Sequence, residues 1–267
     1  MKQVKLATML LLPLFSAALF SFSETAAAEA GSWSGEVSIG FEGSYEKEIK
    51  DPEYPDQAVD PGESPSTDGE LRIDFVPQFN FWANAKVDED VLVYGNAQLF
   101  HGNTGARGNF VQVSDFRGTG KGWLLQLRQE TQFKNETAEN KELDGSVISL
   151  GSSWANSTRG ADEAPIVQKD VIRIDNIGQT YNLAEAKANT GEGTWSIIFG
   201  ASIENENGMK DTLIPRLDAD GNPVTDPAYD NKAIYQNKAL SLSIPGATKK
   251  DPVTYTTVIT WILSELP

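Results

Sequence analysis

The amino-acid sequence predicts an all-β protein: an antiparallel β-sandwich, with a jelly roll among the windings open to it, and with long Pro/Asp-rich loops. Three observations predict it. Short runs recur in which apolar and polar residues alternate, the period of a half-buried strand. Gly, Asn, Asp and Pro punctuate the joints between those runs, as turns require. Only Tyr181 to Asn189, with Leu183-Ala184-Glu185-Ala186-Lys187-Ala188, has helix-forming composition, and it is short for a helix on its own.

A processing segment opens the chain. Lys2 and Lys5 precede an apolar run from Leu6 to Phe22, and small residues follow at Ala26-Ala27-Ala28 and Ala28-Glu29-Ala30. This pattern reads as a signal peptide over residues 1–28, cleaved after Ala28 or Ala30, with an uncleaved anchor as the alternative. No later run of about 18 apolar residues appears, so the mature chain is expected to be soluble and untethered. Residues 29–267 read as one domain. A chain of that length buries roughly 70–75% of its unfolded surface, enough core to fold without cross-links. That matters because the sequence contains no cysteine.

Val37, Ile39 and Phe41 share one face of an opening strand. From 50 to 69 the texture changes to Pro52, Pro55, Pro61 and Pro65 among Asp, Glu, Ser and Gly, which predicts an extended or mobile acidic loop. Strands follow at Leu71–Phe75, then Phe79 and Phe81 after Pro77, Val91–Tyr94 and Val111–Phe116. Further ones fall at Gly122–Gln129, Val147–Leu150, Val171–Ile174 and Trp195–Ile203. Leu240–Ile244 and Tyr255–Leu263 complete roughly ten strands.

Composition removes several function classes. With 38 Asp+Glu against 22 Lys+Arg, the formal charge of −16 repels nucleic-acid phosphates and equally other anionic polymers such as teichoic acids. Solubility is the plain reason for such acidity. A Cys nucleophile is impossible, and a Ser-His-Asp triad would depend on the single histidine, His101, in a turn-like stretch without a G-x-S-x-G elbow. Zinc in its usual His/Cys form lacks a ligand set here, with one histidine and no cysteine, and no cofactor motif is present. Asp218-Ala219-Asp220-Gly221-Asn222 departs from the EF-hand pattern at Pro223 and Tyr229, so it reads as a polar hairpin loop. Paired carboxylates for glycoside hydrolysis are available to any acidic chain, which leaves a glycan hydrolase as a minor alternative.

Two segments match each other: Val113-Ser114-Asp115-Phe116-Arg117-Gly118-Thr119-Gly120-Lys121-Gly122-Trp123-Leu124-Leu125, and Tyr255-Thr256-Thr257-Val258-Ile259-Thr260-Trp261-Ile262-Leu263 near the C-terminal end. With Gly193-Thr194-Trp195 and Leu240-Ser241-Leu242-Ser243-Ile244-Pro245-Gly246, they resemble the WxL domain of Gram-positive surface proteins over essentially the whole mature chain. The resemblance implies export, noncovalent attachment to peptidoglycan, and a place in multiprotein surface complexes with other WxL proteins and a membrane-anchored WxL-interacting protein. It implies no catalysis. An assembly module that reaches the wall only through such a partner is the alternative.

The motif residues themselves are Trp123, Leu125, Trp261 and Leu263. Residues two apart on a strand share a face, so each Trp points with its Leu and continues a longer apolar row. Core packing is the reading that the rows favour, with a sugar-stacking platform as the alternative. Asp115 and Arg117 are placed for a local ion pair or turn hydrogen bonds, and Gly118, Gly120 and Gly122 for a tight entry into the strand. Trp82, Trp154 and Tyr54 are rival loop aromatics for glycan contact.

Overall fold

The computed structural model describes residues 47–83 and 88–267. The signal segment and the strand expected at Val37, Ile39 and Phe41 lie outside the described residues. Fifteen strands are present among the described residues, and all their pairings are antiparallel.

A first sheet holds β1 (Leu71–Phe75), β3 (Asn109–Asp115), β10 (Gly193–Phe199) and β6 (Ser153–Asn156), in that order. A second runs β11 (Leu213–Pro215), β14 (Tyr235–Ile244), β5 (Val147–Leu150) and β8 (Ile172–Ile174), with β2 (Val91–Asn96) also on β14. The third runs β15 (Ile259–Glu265), β4 (Trp123–Gln129), β9 (Thr180–Ala186) and β7 (Ile166–Val167). A ribbon of β12 (Thr225–Asp226) and β13 (Lys232–Ala233) is the one pairing, among the described residues, between strands consecutive in the chain. No described helix is long and apolar enough to cross a membrane.

Alternation explains which faces meet. In β4, Trp123, Leu125, Leu127 and Gln129 are buried and the residues between them half-buried. Val111, Val113, Trp195 and Ile197 of the first sheet meet Ile148, Leu150, Leu240 and Leu242 of the second. Trp123, Leu125, Leu127 and Leu183 of the third join the same apolar cluster, so the three sheets share one core, the arrangement of a β-sandwich.

The outer face of the first sheet is covered too, and the cover is the Pro-rich segment. Phe75, Phe100, Phe110, Trp154 and Ile198 form a second apolar cluster against which Ile49 and Val59 pack. The first half of the strap is neither extended nor mobile: it doubles back in a turn, where the Gln57 amide donates to the Tyr54 carbonyl and the Asp51 amide to the Gln57 carbonyl, each at 2.9 Å. Lys50 and Ala58 bridge, and Gln112 accepts from the Lys50 amide at 2.8 Å while its own amide donates to the Glu48 carbonyl at 2.9 Å. Buried Asp51 takes the Arg107 guanidinium at 3.1 Å, Glu53 lies 3.4 Å from the same Nε, and Glu204 accepts from Nη1 at 3.0 Å. Burial opposes the Arg107 charge, yet these carboxylates together raise its pKa.

Three expectations are corrected. Tyr181–Asn189 is a strand over its first part: β9 fills the gap between β4 and β7, and two ladders of hydrogen bonds outweigh the weak helix propensity of a short segment. The run from Trp195 stops at Phe199, because Gly200 adopts φ +83° and turns the chain. Ile203, expected on the inward face, is consequently 81% exposed. Phe79 and Phe81 form no strand; Phe81 makes a single bridge to Gly95 of β2.

Glu53 gives a pH test. Burial pushes its carboxyl above the ordinary 4.5, against the hydrogen bonds from Ser202 and the Arg107 charge. A raised folded-state pKa contributes stability that is full below 4.5 and is lost as pH rises through the folded value. The unfolding free energy of wild type minus that of Glu53→Gln should therefore fall as pH rises from about 4.5, measured by urea titration across the acid-to-neutral range. A difference that stays flat over that range removes this account of the strap.

Candidate functional site

The two Trp-x-Leu segments, far apart in the chain, are neighbours in space. β4 and β15 pair so that Trp123 faces Glu265, Leu125 faces Leu263, and Leu127 faces Trp261. One antiparallel ladder therefore holds both motifs, with Leu125 and Leu263 directly opposite each other.

The two tryptophans nonetheless differ. Trp123 lies on a strand paired on both sides and is 0% exposed; its indole N–H donates to the Gly191 carbonyl at 2.9 Å. That partner was not legible in advance, though it has a signal: Gly191 adopts φ +76°, and a Cβ there would come within 2.7 Å of the Trp123 indole nitrogen. Leu125 is fully buried beside it. Trp261 and Leu263 lie on the edge strand and are half-buried.

The residues around the first motif form a clamp on the second. Arg117 binds Asp115 through two hydrogen bonds of 2.8 Å and donates to the Gly122 carbonyl at 2.9 Å. Its Nη1 pairs with Glu265, which Lys121 also reaches at 2.7 Å. The Asp115 hydrogen bonds raise the Arg117 pKa, and Lys121, with help from Arg117, lowers that of Glu265. Gly118, Gly120 and Gly122 all have positive φ. The requirement is sharpest at Gly122, where a Cβ would stand 2.1 Å from the Ala186 carbonyl oxygen of β9.

Beside the ladder opens a cleft of about 1200 Å³. Phe79, Phe81, Trp82, Tyr255, Ile259 and Trp261 supply its aromatic and apolar surface. Trp261 meets the Phe79 ring edge-on, centroids 5.9 Å apart, and Trp82, 62% exposed, has the Arg216 guanidinium 5.0 Å over its ring. Burial lowers the Arg216 pKa. Gln78, Asn80, Thr254 and Thr256 add hydrogen-bonding groups. Each of the three sheets also contributes a terminal strand: Ile73 comes from β1, Val91 and Val93 from β2, and Ile259 and Trp261 from β15. Thr67 caps β1 at Ile73 and Phe81 caps β2 at Gly95, while β15 has β4 as its one strand partner among the described residues.

The remaining sequence candidates fall elsewhere. Trp154 is not a loop aromatic but part of β6, 5% exposed, its indole bonded to the Gly200 carbonyl at 2.8 Å. Tyr54 lies against Arg107 on the strap, ring centroid 5.4 Å from the guanidinium carbon. His101 stacks on Tyr229 at 4.8 Å. Asp218 accepts from the backbone amides of Asp220 at 2.9 Å and Asn222 at 2.8 Å, and the Asn222 bond is the first cause of its lowered pKa. Its oxygens close a turn. Among the described residues no group of three or more Asp, Glu or His is arranged to hold a metal.

A family model described as WxL domain surface cell wall-binding matches residues 28–267. No curated protein and no solved structure matches the chain.

The unequal tryptophans lead to unequal mutants. Trp123→Ala should cost about 3–5 kcal/mol of folding stability, since it empties a closed site and orphans the Gly191 carbonyl. Trp261→Ala should cost clearly less, because its ring already meets solvent on the cleft side. Urea unfolding of both variants checks the order, and equal losses contradict it.

Proposed function

The chain belongs to the WxL family of surface cell-wall-binding domains, and from that membership we propose that it attaches noncovalently to peptidoglycan through the aromatic cleft. Cell-surface location and wall binding come with the family. The finer reading rests on one observation, the open cleft that Trp261 of the second motif helps to line.

Peptidoglycan carries two chemistries, amino-sugar rings and short peptides, and the cleft has a complement for each. Aromatic rings offer apolar faces to the C–H faces of sugars, and the amide and hydroxyl side chains between them serve sugar hydroxyl and acetamido groups. The outer edge of β15 offers backbone donors and acceptors in the extended spacing that a peptide matches. Net charge supports contact through rings and hydrogen bonds over contact with phosphate polymers, which a chain of −16 repels. On this reading residues 1–28 direct export from a Gram-positive cell and are removed, and residues 29–267 act as one wall-binding domain. Other WxL proteins and a membrane-anchored partner then join the attached protein in surface complexes.

A second reading is favoured by the outer edge of β15, which no described strand covers and which borders the same cleft. An extended apolar segment of a partner protein would add to that edge, making the domain an assembly module.

Sacculi stripped of proteins and teichoic acids separate the two. Purified mature protein should pellet with them saturably, and rising salt should weaken the binding little. Trp82→Ala, at an exposed position, should lower the affinity about tenfold while leaving the unfolding midpoint in place. Absence of saturable pelleting defeats direct attachment and favours the assembly module.

A further inference from the structure

We propose that the outer face of the first sheet carries a second, separate carbohydrate subsite, which takes one or two neutral, N-acetylated sugar rings. The inference rests on the wall-glycan reading above and extends it to a face that shares no lining residue with the cleft.

Strand alternation builds the floor. Trp195 and Ile197 of β10 point into the core, which sends Thr194 and Ser196 to the outer face. Register places Ser196 opposite Asn156 of β6 and Thr194 opposite Ser114 of β3, so small hydroxyl and amide side chains lie side by side. The strap forms one wall, fixed over the sheet by Asn156, whose amide donates to the Pro52 carbonyl at 2.9 Å. Thr158 and Arg159 form the other, and Phe116, 39% exposed and with the Arg72 guanidinium carbon 5.4 Å over its ring, closes one end. Gly193 makes room for Arg159: it adopts φ +84°, and a Cβ there would press to 3.0 Å from the guanidinium Nε.

The enclosed volume is about 350 Å³, at the small end of the range for small-molecule pockets. Charge then selects the ligand class. Arg159 is engaged by Glu163 at 3.2 Å, Lys50 by Glu48, and Asp56 lines the same pocket. With Arg72, which Asp74 holds at 2.6 Å, three cations stand against four carboxylates, which disfavours phosphate or carboxylate polymers. What remains is a partly exposed aromatic ring and a proline beside hydroxyl groups. Thr194 is bonded to Ser114 at 2.8 Å and keeps its lone pairs, while exposed Thr158 can donate and accept. Together they are the complement of a sugar with one apolar face and a polar rim.

The soluble trimer of β-1,4-linked N-acetylglucosamine is the probe, added to ¹⁵N-labelled mature protein, with sacculus pelleting run in parallel. Saturable shifts of the Thr158, Arg159 and Gly193 amides are expected. Phe116→Ala and Thr158→Val, both at exposed positions, should each weaken trimer binding about fivefold or more. Trp82→Ala in the cleft should leave those shifts unchanged. Sacculus binding without any shift at these amides, or with shifts confined to the cleft, overturns the subsite and leaves wall attachment standing. Inorganic phosphate that binds as tightly as the trimer overturns the neutral ligand class. Loss of sacculus binding by the wild type instead removes the reading on which the subsite rests.

Discussion

The ladder between β4 and β15 requires the end of the chain to pair with a strand formed 130 positions earlier, Ile259 opposite Gln129. Around it the rest is arranged. β4 occupies the middle of its sheet only because β15 covers one edge while β9 covers the other, and that double pairing closes the site in which Trp123 is buried. The Arg117 clamp, gripping Asp115 on one side and Glu265 on the other, ties the glycine-rich turn to the same C-terminal strand. Contacts of this sequence separation bring no reward until the intervening loop has been closed, so folding is expected to be slow for the chain's size. With only the β12–β13 ribbon joining consecutive strands among the described residues, no hairpin-by-hairpin route offers a shortcut.

The strap depends on a different balance. Asp51 and Glu53 are taken out of water together with Arg107, and the desolvation of three charges is repaid only by close, multiple contacts. Such a cluster contributes little net stability relative to apolar packing, but it tolerates one arrangement. Ile49 and Val59 alone would adhere to Phe75 and Phe110 in many registers; the Arg107 pairings specify one. That fixed position is what turns an acidic, proline-rich excursion into a wall of the outer pocket.

Local pattern was enough to locate most of the long strands, since period-two alternation is a property of each segment alone. It placed β1, β4 and β5 within a few residues and the second half of β14, and it anticipated the Asp115–Arg117 ion pair. Partnership is where it stopped. Nothing in Thr180–Ala186 says that two strands wait on either side, and Ala, Glu and Leu there read as helix until the neighbours are known. The strap misled for the same reason: its acidity suggests solvent, while the partner of Asp51 lies 56 residues away. Trp154 resembled a loop aromatic because β6 is only four residues long.

The Trp-x-Leu pair shows how the same local sequence acquires two roles. Alternation treats Trp123 and Trp261 alike, because each shares a face with a Leu two positions on. Sheet order separates them: a central strand has neighbours on both sides to complete the burial, whereas an edge strand has one, and its large residues meet whatever lies beyond the edge. Trp123 thus spends its indole N–H on Gly191 and its ring on the core, and Trp261 turns part of its ring to the cleft. Repeating the motif serves a fold that needs one of its strands as framework and the paired one as surface. The first copy holds the second at a fixed place on the cleft wall, so the position of Trp261 is set by the strand that Trp123 anchors.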